Sequence, residues 1–346
     1  MSLERYPQKI LIIRLSSLGD IVFLTPIFKV LRSKFPDARI DFLTKVEFQP
    51  LLQHNPFISN VLTFDSDGGF PGWRELCREL ACGGYDLYID MHNSIRSRVL
   101  GYYLRKIPHL RFLKPRLKRF LLFYFYINLF PENFTVLNEY MKVLEPLGIS
   151  GDSLVPEIYL NDLATQRAEE LLRERGVTKP FVVMLPVAAW KNKRYPLEKY
   201  RELAKCIYDT YTIPVVWLGG KKDHYLAELS DLNSGSNISL IGEATLEESI
   251  AVLAKSTLVI GNDTGLSYAA EAVQTPLIVI LGPTSRETGA GAYSDKSRSI
   301  EQQLCCRPCS QKGDRRCYRK QQYCLENSSM EEVFRAVESV LNDIVA

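Results

Sequence analysis

The chain has 346 residues, of which 46% are hydrophobic and 24% are charged, and its formal net charge is +3. This length suits two domains of ordinary size, and the composition is typical of a soluble globular protein. The small net charge gives no reason to expect a nucleic-acid partner. The short polar start, residues 1–8, lacks the apolar region of a secretion signal, so we expect a cytoplasmic protein.

Short apolar runs alternate with helical segments through the first half of the chain. Residues 9–14, 39–44, 60–64 and 85–90 are the predicted strands. After the first of them, apolar residues recur at helical spacing. This alternation predicts βαβ units and a doubly wound parallel sheet.

The same pattern restarts in the second half. The predicted strands there are residues 181–185, 215–219, 238–241, 258–260 and 277–281. Capping boxes at Thr245–Glu248 and Ser328–Glu331 predict where two helices begin. We expect an N-terminal Rossmann-like domain over residues 1–165, a second over 176–327, and a last helix, 328–346, which could pack back on the first domain.

The segment between Asp90 and Glu132 contains no acidic residue. Its cations are Arg96, Arg98, Arg105, Lys106, Arg111, Lys114, Arg116, Lys118 and Arg119. An apolar run follows at residues 120–130, and it is too short to span a bilayer, since that takes about 20 residues. The run is either a core helix with a solvated basic flank or a surface that lies against an anionic membrane.

The first candidate site is the turn Ser16–Asp20, at the carboxyl end of the first predicted strand. Ligands of open α/β sheets bind at this edge. Small serines and Gly19 permit a tight turn, and Asp20 then opens a helix, where its carboxylate could accept the proton of an attacking hydroxyl group. An ordinary helix N-cap would use the same residue, so both interpretations stay open.

The second candidate site follows the predicted strand 258–260. Backbone N–H groups at Thr264 and Gly265, together with the positive end of a helix, favour a bound phosphate. Asp263 would repel phosphate and is better suited to sugar hydroxyls beside it. A capped helix without a ligand is the alternative interpretation.

Three cations follow the first strand of the second half, at Lys191, Lys193 and Arg194. They are placed to neutralise a departing diphosphate, as electrostatic catalysis requires. A solvated charged surface is the alternative.

Five of the eight cysteines lie close together near the end of the chain. Cys306, Cys309, Cys317 and Cys324 could supply four thiolates to a tetrahedral zinc ion, although the second close pair of a usual zinc motif is missing. We expect surface thiols or disulfides here, with a structural zinc site as the alternative. We expect no cofactor.

These motifs, in this order, resemble one known family. The similar stretches are residues 9–20 with Thr25-Pro26, 85–98, 193–196, 263–267 and 281–284. They resemble those of the ADP-heptose:lipopolysaccharide heptosyltransferases, glycosyltransferase family 9, over essentially the whole chain. The resemblance implies the α/β architecture called GT-B, in which two Rossmann-like doubly wound domains face each other across a cleft.

The resemblance also implies an activity. Similar enzymes transfer heptose from ADP-heptose to the lipopolysaccharide core, onto a Kdo or heptose acceptor on lipid A. They invert the anomeric centre and use no catalytic metal. Such an enzyme is cytoplasmic and could lie peripherally on the inner membrane.

The resemblance assigns roles to individual residues. Asp20 is the base, Lys193 contacts phosphate, and Arg194 is an auxiliary cation. Thr264 and Gly265 form the diphosphate loop beside Asp263, which contacts the donor sugar. We assign acceptor binding to Ser17, Arg96 and Arg98.

Two positions depart from the family pattern. The family often has histidine where this chain has Tyr268, whose hydroxyl could contact the donor or simply pack, so the donor sugar stays open. Asp223 is the loose counterpart of an acidic residue near the donor, or part of a solvated loop. The alternative functions are a family 9 enzyme with a different donor or a surface-glycan acceptor, and a non-catalytic nucleotide-sugar-binding protein. The first turn lacks Gly-x-Gly-x-x-Gly, which argues against a dehydrogenase.

Overall fold

The computed structural model describes residues 6–150, 154–177, 180–230 and 233–345. The chain forms two compact units, each built around its own sheet. The first unit comprises the chain up to Pro115 together with Phe134–Tyr159. The second comprises Arg116–Asn133 together with the chain from Leu160 onwards.

Strands and helices alternate along most of the chain. The strands are β1 (Lys9–Ile13), β2 (Arg39–Lys45), β3 (Asn60–Phe64), β4 (Leu87–Asp90), β5 (His109–Arg111), β6 (Val182–Leu185), β7 (Val215–Trp217), β8 (Asn233–Ser234), β9 (Asn237–Ser239), β10 (Leu258–Asn262), β11 (Leu277–Leu281) and β12 (Arg298–Glu301). The helices are α1 (Leu18–Val22), α2 (Thr25–Lys34), α3 (Gly69–Cys82), α4 (Ile95–Tyr103), α5 (Arg116–Phe125), α6 (Val136–Met141), α7 (Asp162–Glu174), α8 (Leu197–Tyr211), α9 (Ala227–Ser230), α10 (Leu246–Lys255), α11 (Gly265–Ala272), α12 (Tyr323–Glu326) and α13 (Met330–Val345).

The sheet of the first unit has the order β3-β2-β1-β4-β5, and every neighbouring pair is parallel. The four strands predicted for this half are confirmed as β1 to β4. The strand β5 was not predicted, because it is only three residues long and carries a single apolar side chain. Central β1 is buried from its second residue onwards, which explains why its sequence is a continuous apolar run.

Helices cover both faces of this sheet. On one face, the ring of Trp73 in α3 packs edge-on against Phe64 of β3, with 4.8 Å between the centroids. On the other, Phe28 of α2 packs against Phe42 of β2 at 5.1 Å. Both faces are thus closed by apolar packing, and the carboxyl ends of β1 and β4 are where polar loops begin.

The sheet of the second unit has the order β12-β11-β10-β6-β7-β9-β8. All its pairs are parallel except β8 with β9. The five strands predicted for this half are confirmed as β6, β7, β9, β10 and β11. The edge strand β12 was not predicted, because only one of its four residues is buried and the sequence therefore shows no apolar run.

The predicted domain boundary needs a correction. Residues 116–133 were expected in the first domain, but they belong to the second unit. They contact a segment that we call the cysteine loop, residues 302–322. The guanidinium of Arg315 in this loop lies over Tyr124, 4.4 Å from its ring centroid, and 5.7 Å from that of Phe123. Local sequence patterns carry no sign of contacts between segments so far apart.

The apolar run was expected to be either core or surface, and α5 is both. Leu122 and Phe123 are buried, whereas Phe120 and Tyr124 are exposed. Within the described ranges, no helix combines the length and the apolar character that crossing a bilayer would take.

The last helix also differs from its prediction. From the sequence alone it could pack back on the first domain, whereas α13 packs on α8, β11 and β12 of the second unit. Its predicted N-cap is shifted by one residue, because Ser329 Oγ accepts the N–H of Glu332 at 3.2 Å. Ser328 Oγ instead donates to the carbonyl of Cys324. The capping box at Thr245–Glu248 is confirmed.

Candidate active site

The first candidate site begins with α1, which follows the carboxyl end of β1. Ser17 precedes the helix and Asp20 is its third residue. Asp20 Oδ2 accepts the N–H of Ser17 at 3.0 Å and the Ser17 hydroxyl at 2.7 Å. Ser17 therefore takes the N-cap position considered for Asp20, and the carboxylate of Asp20 reaches back to it as in a capping box.

Asp20 also forms an ion pair. Arg14 Nη2 lies 2.7 Å from Asp20 Oδ2; the Arg14 side chain is nearly buried, whereas 35% of the Asp20 side chain is exposed. Arg14 also donates to the carbonyls of Ser16, at 2.7 Å, and Met91, at 2.5 Å. The hydroxyl of Tyr140 donates to Asp20 Oδ1 at 3.1 Å. The ion pair thus joins the carboxyl ends of β1 and β4.

These contacts decide the protonation of Asp20. Burial by itself would raise the pKa of this carboxyl, but the Arg14 charge and the hydrogen bonds from Ser17 hold it well below its usual range. For Arg14, burial would lower the pKa, but the charge of Asp20 raises it. Both groups are therefore charged at neutral pH, and the exposed third of Asp20 leaves the carboxylate accessible to a ligand.

The loop after β4 is shaped by Asp90, whose carboxylate is fully buried. Its Oδ1 accepts the N–H groups of His92 at 3.0 Å and Asn93 at 2.7 Å. Its Oδ2 accepts the hydroxyl of Ser97 at 3.0 Å and Nε of Arg111 at 3.2 Å. Because these bonds occupy both oxygens, Asp90 orders the backbone of the loop rather than binding a ligand.

His92 lies beside the Arg14–Asp20 pair. Burial lowers the pKa of its imidazole, and the charges of Arg14 and Lys114 lower it further, to about 3. In the described part of the chain, its buried Nδ1 has no hydrogen-bond partner. His92 is therefore neutral at the site.

The residues expected to bind the acceptor are exposed around this loop. Ser17 contacts Asp20 directly. Arg98 donates from Nε to the side chain of Asn93 at 3.2 Å. Arg96 instead lies over Phe64, with its guanidinium carbon 5.6 Å from the ring centroid. Ser17 and Arg98 therefore belong to the ends of β1 and β4, whereas Arg96 packs on the aromatic ring of β3.

The second candidate site centres on an ion pair at the carboxyl end of β10. Lys193 Nζ lies 2.6 Å from Asp263 Oδ2, and only 15% of the lysine and 6% of the aspartate side chain are exposed. Asp263 directly follows β10, and Lys193 ends a turn after β6, its parallel neighbour. Adjacent strands thus bring together two residues that are distant in sequence.

Two hydroxyl groups hold Asp263 from other sides. Thr284, in the turn after β11, donates to Oδ2 at 2.6 Å, and Tyr268 donates to Oδ1 at 2.7 Å. The Tyr268 hydroxyl accepts the N–H of Gly291 at 3.0 Å. Burial would raise the pKa of Asp263, but Lys193 and these hydrogen bonds bring it below its usual value. Burial and the charge of Asp263 raise the pKa of Tyr268, so its hydroxyl remains a donor.

The helix α11 starts at the same edge of the sheet. Thr264 is its N-cap and accepts the N–H of Leu266 at 3.3 Å, and Gly265 is its first residue. The capped-helix and anion-site interpretations are compatible, because one side chain satisfies one of the several N–H groups that a helix start leaves without intrahelical acceptors. A Cβ at Gly261 would stand 2.7 Å from Ser267 Oγ, so this glycine lets α11 approach the strand.

Arg194 belongs to a neighbouring cluster. Its guanidinium carbon lies 3.4 Å from the ring centroid of Tyr225, and its Nε donates to the carbonyl of Ala188 at 3.1 Å. The Tyr225 hydroxyl accepts the N–H of Ala188 at 3.0 Å and is hydrogen-bonded to the side chain of Asp223. The structure therefore brings Arg194 and Asp223 together through one aromatic ring.

The cysteine loop contacts Asn192 and Lys193 and holds them in position. Asn192 Nδ2 donates to the carbonyls of Gly313, at 3.3 Å, and Arg315, and Gln322 donates to the carbonyl of Asn192. A Cβ on Gly313 would stand 2.7 Å from Lys193 Cγ. The missing side chain thus leaves room for the aliphatic part of Lys193, and the loop directs its ammonium toward Asp263.

The same loop supports the turn that carries Thr284. Arg307 donates to the carbonyls of Gly282 and Thr284, each at 2.7 Å. The N–H of Cys309 donates to the carbonyl of Pro283 at 3.1 Å. The cysteine loop therefore holds both Lys193 and Thr284 in position around Asp263.

The cysteines in and next to this loop correct part of the prediction. All eight cysteines are free thiols, so no disulfide is formed, and Cys306 and Cys324 are buried rather than on the surface. Burial, followed by the neighbouring thiols, raises the pKa of Cys309 to about 11. Over the residues that the structure describes, no three His, Cys, Asp or Glu side chains are arranged to hold a metal ion. Cys317, the other member of the proposed zinc set, is half-buried.

Comparison with known proteins identifies the family. Residues 73–318 match glycosyltransferase family 9 (heptosyltransferase), which is more than half of the chain. The chain belongs to glycosyltransferase family 9. Its relatives include lipooligosaccharide heptosyltransferase 2 of Haemophilus influenzae, 28% identical over 310 residues, which cover 85% of this chain and 88% of the relative.

Solved structures of the family have the same fold. A family 9 glycosyl transferase from Veillonella parvula superposes with a TM-score of 0.79 at 21% identity, covering 97% of this chain and 98% of the other. ADP-heptose lps heptosyltransferase II from E. coli superposes with a TM-score of 0.75 at 22% identity, covering 98% and 100%. The predicted GT-B fold of two doubly wound α/β domains is confirmed.

Several residues of the candidate site were not predicted from the sequence. Arg14 and Thr284 lie inside the motifs that carry the resemblance. Arg14 is a charged residue at the end of an apolar strand, and Thr284 is a hydroxyl residue shortly after a strand, so both could have been predicted as site residues. Tyr140 and Gly313 offered no such signal. Their partners, Asp20 and Lys193, are far away in sequence, and only the tertiary fold brings them into contact.

Replacing Lys193 by methionine should destabilise the second unit. The change leaves the buried carboxylate of Asp263 without its counter-charge, so we expect the free energy of unfolding to fall by about 3 kcal/mol. Urea denaturation measures this. The control is Lys205→Met, an exposed lysine on α8, for which we expect a change below about 0.5 kcal/mol. Equal losses for the two variants would contradict the ion pair.

Glu271 on α11 should make stability depend on pH. Burial raises the pKa of this carboxyl to about 7, although Ser294 and Tyr293 donate N–H groups to it. A raised pKa stabilises the fold at low pH, and this contribution disappears as pH rises from the usual value of 4.5 to about 7. In that window we expect unfolding free energy to fall by about 1 kcal/mol per pH unit. Denaturation of Glu271→Gln should lack this slope, and an unchanged slope would contradict the assignment.

Proposed function

We propose that this chain is an inverting heptosyltransferase that transfers heptose from ADP-heptose to the lipopolysaccharide core, onto a Kdo or heptose acceptor on lipid A. Family membership supports sugar transfer, and the named relatives that act as heptosyltransferases support heptose as the sugar. The observation that carries the proposal is the Lys193–Asp263 pair beside the start of α11, where a cation and helix N–H groups meet at one edge of the sheet.

The donor diphosphate is proposed to bind at that edge. Lys193, Arg194 and the first N–H groups of α11, around Thr264 and Gly265, provide positive charge where the departing ADP gains negative charge. The proposed reaction therefore needs no metal ion. These groups are held in place before the donor binds, so the reaction requires little reorganisation energy from them.

Asp263 has the acceptor capacity for one more hydrogen bond. Lys193 and Thr284 contact its Oδ2, whereas Tyr268 is the donor to Oδ1. A carboxylate oxygen accepts two hydrogen bonds, so Oδ1 can take one sugar hydroxyl. We assign donor-sugar contact to Asp263 and a positioning role to Tyr268, which acts through Asp263. Asp223 is proposed to act beside the donor through Tyr225 and Arg194.

Asp20 is the proposed general base. Its lowered pKa keeps it ionised but makes it a weak base, so proton transfer would follow bond formation, when the attacking oxygen becomes acidic. The acceptor oxygen attacks the anomeric carbon on the side opposite ADP and loses its proton to Asp20. The bond from that carbon to the phosphate oxygen breaks, and its electron pair leaves with ADP. Displacement from the opposite side inverts the anomeric centre.

The acceptor is proposed to bind beside Asp20. Ser17, Arg98 and Arg96 offer a hydroxyl and two cations to an anionic sugar. Because lipid A is anchored in a membrane, we also propose that the enzyme is cytoplasmic and lies peripherally on the inner membrane.

Tyr268 favours a second candidate function. The position often carries histidine in the family, and in this chain a neutral hydroxyl occupies the Asp263 Oδ1 side of the site. A different hydrogen-bonding pattern beside the sugar fits a different donor. The second candidate is therefore a family 9 enzyme with another sugar donor or a surface-glycan acceptor.

Replacing Asp20 by asparagine should remove the base. We expect kcat to fall by about 10² to 10⁴-fold, the usual contribution of a general base, with little change in ADP binding. The measurement is ADP release from ADP-heptose with a Kdo–lipid A acceptor. The control is Asp37→Asn, an exposed carboxylate in the same unit. Near-normal turnover of the Asp20 variant would refute the base, and equally tight binding of UDP-sugars would refute the donor.

Gly313→Ala should weaken ADP binding. A methyl group there would displace Lys193, and we expect the Kd for ADP to rise about tenfold, which equals about 1.4 kcal/mol. Calorimetric titration with ADP measures it. Gly176→Ala is the matched control. The φ of Gly176, +69°, is close to the +77° of Gly313, but a Cβ added at Gly176 would have no neighbouring atom within 4 Å. Equal Kd values for the two variants would contradict the role of the loop.

A further inference from the structure

One side of α5 exposes large apolar side chains. Leu117, Phe120 and Tyr124 are spaced by three and four residues, so they lie on the same side of the helix. Their exposed fractions are 70%, 48% and 57%, whereas Leu122 and Phe123 face the protein. A helix on the surface of a soluble protein normally exposes polar residues on its outer side. An exposed apolar side such as this one is typical of a binding surface.

The exposed side continues beyond the helix. Phe125, Tyr126, Ile127 and Leu129 are all exposed. The hydroxyl of Tyr126 is hydrogen-bonded to Tyr318, an exposed tyrosine of the cysteine loop. We call this surface, made by residues 117–129 and Tyr318, the aromatic face. Phe120 packs against Tyr124 and Phe125, with ring centroids 4.9 and 5.7 Å apart, so the aromatic members of this face form a patch rather than scattered residues.

Cations lie next to the aromatic face in α5 and in the cysteine loop. Helix α5 itself carries Arg116, Lys118 and Arg119. The cysteine loop adds Arg315, which lies over Tyr124, and Arg319, whose guanidinium lies 5.8 Å from the ring centroid of Tyr318. The loop holds one acidic residue, Asp314, and Ser310 is hydrogen-bonded to it. The patch therefore combines an apolar centre with a mainly positive rim, in which one carboxylate, that of Glu287, accepts the amide N–H of Asn128 at 2.8 Å.

This combination fits the surface of an anionic bilayer. Tyrosine favours the headgroup region, leucine and phenylalanine enter the acyl boundary, and arginine and lysine pair with lipid phosphates. A second copy of the chain fits less well. A two-fold interface would place the same positive rim against itself, which like-charge repulsion opposes.

We propose that the aromatic face docks the second unit on an anionic lipid bilayer. The inference rests on the proposed function in one respect, namely that the acceptor is anchored in a lipid membrane. It goes further by assigning the contact to the unit that carries Lys193, because α5 belongs to that unit although it lies in the first half of the sequence.

Sedimentation with vesicles tests the proposal. The full chain should bind vesicles of equal phosphatidylcholine and phosphatidylglycerol in about 0.1 M salt, and binding should weaken in about 0.5 M salt. It should bind pure phosphatidylcholine at least about tenfold more weakly, since the attraction of several cations to an anionic surface is then lost. The variant Leu117→Gln, Phe120→Gln and Tyr124→Gln should lose about tenfold or more of the binding to anionic vesicles.

The control variant is Leu163→Gln. Leu163 is 76% exposed on α7 of the same unit. Its substitution therefore removes an exposed apolar side chain that lies outside the aromatic face. We expect it to bind vesicles as the unmodified chain does. Circular dichroism of both variants checks that they are folded. A folded triple variant that binds as well as the control would overturn the proposal.

Two further measurements separate the possible failures. Sedimentation equilibrium without lipid measures the oligomeric state. If the unmodified chain were a dimer, the triple variant a monomer, and neither bound vesicles, the aromatic face would join two copies of the chain. That result would overturn the proposal. ADP release with an acyl-free, water-soluble acceptor should be equal for the triple variant and the unmodified chain. If neither releases ADP while the vesicle results hold, the proposed function fails and the docking surface stands.

Discussion

The buried ion pair between Lys193 and Asp263 is the contact on which the second unit's site depends. Either charge alone at that depth would be costly, on the order of several kcal/mol, so the two residues hold each other. The parallel strands β6 and β10 bring them together, and the hydroxyls of Thr284 and Tyr268 fix the remaining orientation of the carboxylate. The result is a cation with a defined direction at the start of α11, before any ligand is present.

In the first unit, the ion pair between Arg14 and Asp20 has a similar role. Arg14 is buried and Asp20 is partly exposed, so the pair presents its carboxylate to solvent and its guanidinium to the backbone of the loop after β4. A carboxylate held in this way stays ionised, but it is a weaker base than a free one. In both units, a cation with little solvent exposure thus keeps an aspartate ionised near the carboxyl end of a strand.

The cysteine loop connects two features of the second unit that look unrelated in the sequence. The carbonyl of Arg315 accepts a hydrogen bond from Asn192, beside Lys193, while its guanidinium lies over Tyr124 of α5. One residue therefore contacts both the support of the proposed donor site and the aromatic face. In the same loop, burial raises the pKa of the Cys309 thiol, and the neighbouring thiols of Cys324, Cys306 and Cys317 raise it further.

Most of the parallel strands, the two-domain α/β fold and the positions of Asp20, Lys193 and Asp263 could be predicted from the sequence, because continuous apolar runs and residues at strand ends are local signals. The other features depend on contacts that no local pattern encodes. Tyr140 reaches Asp20, Gly313 makes room for Lys193, and α5 joins the second unit through contacts between distant segments. Apolar periodicity records which side of an element is buried, but it does not record which element buries it.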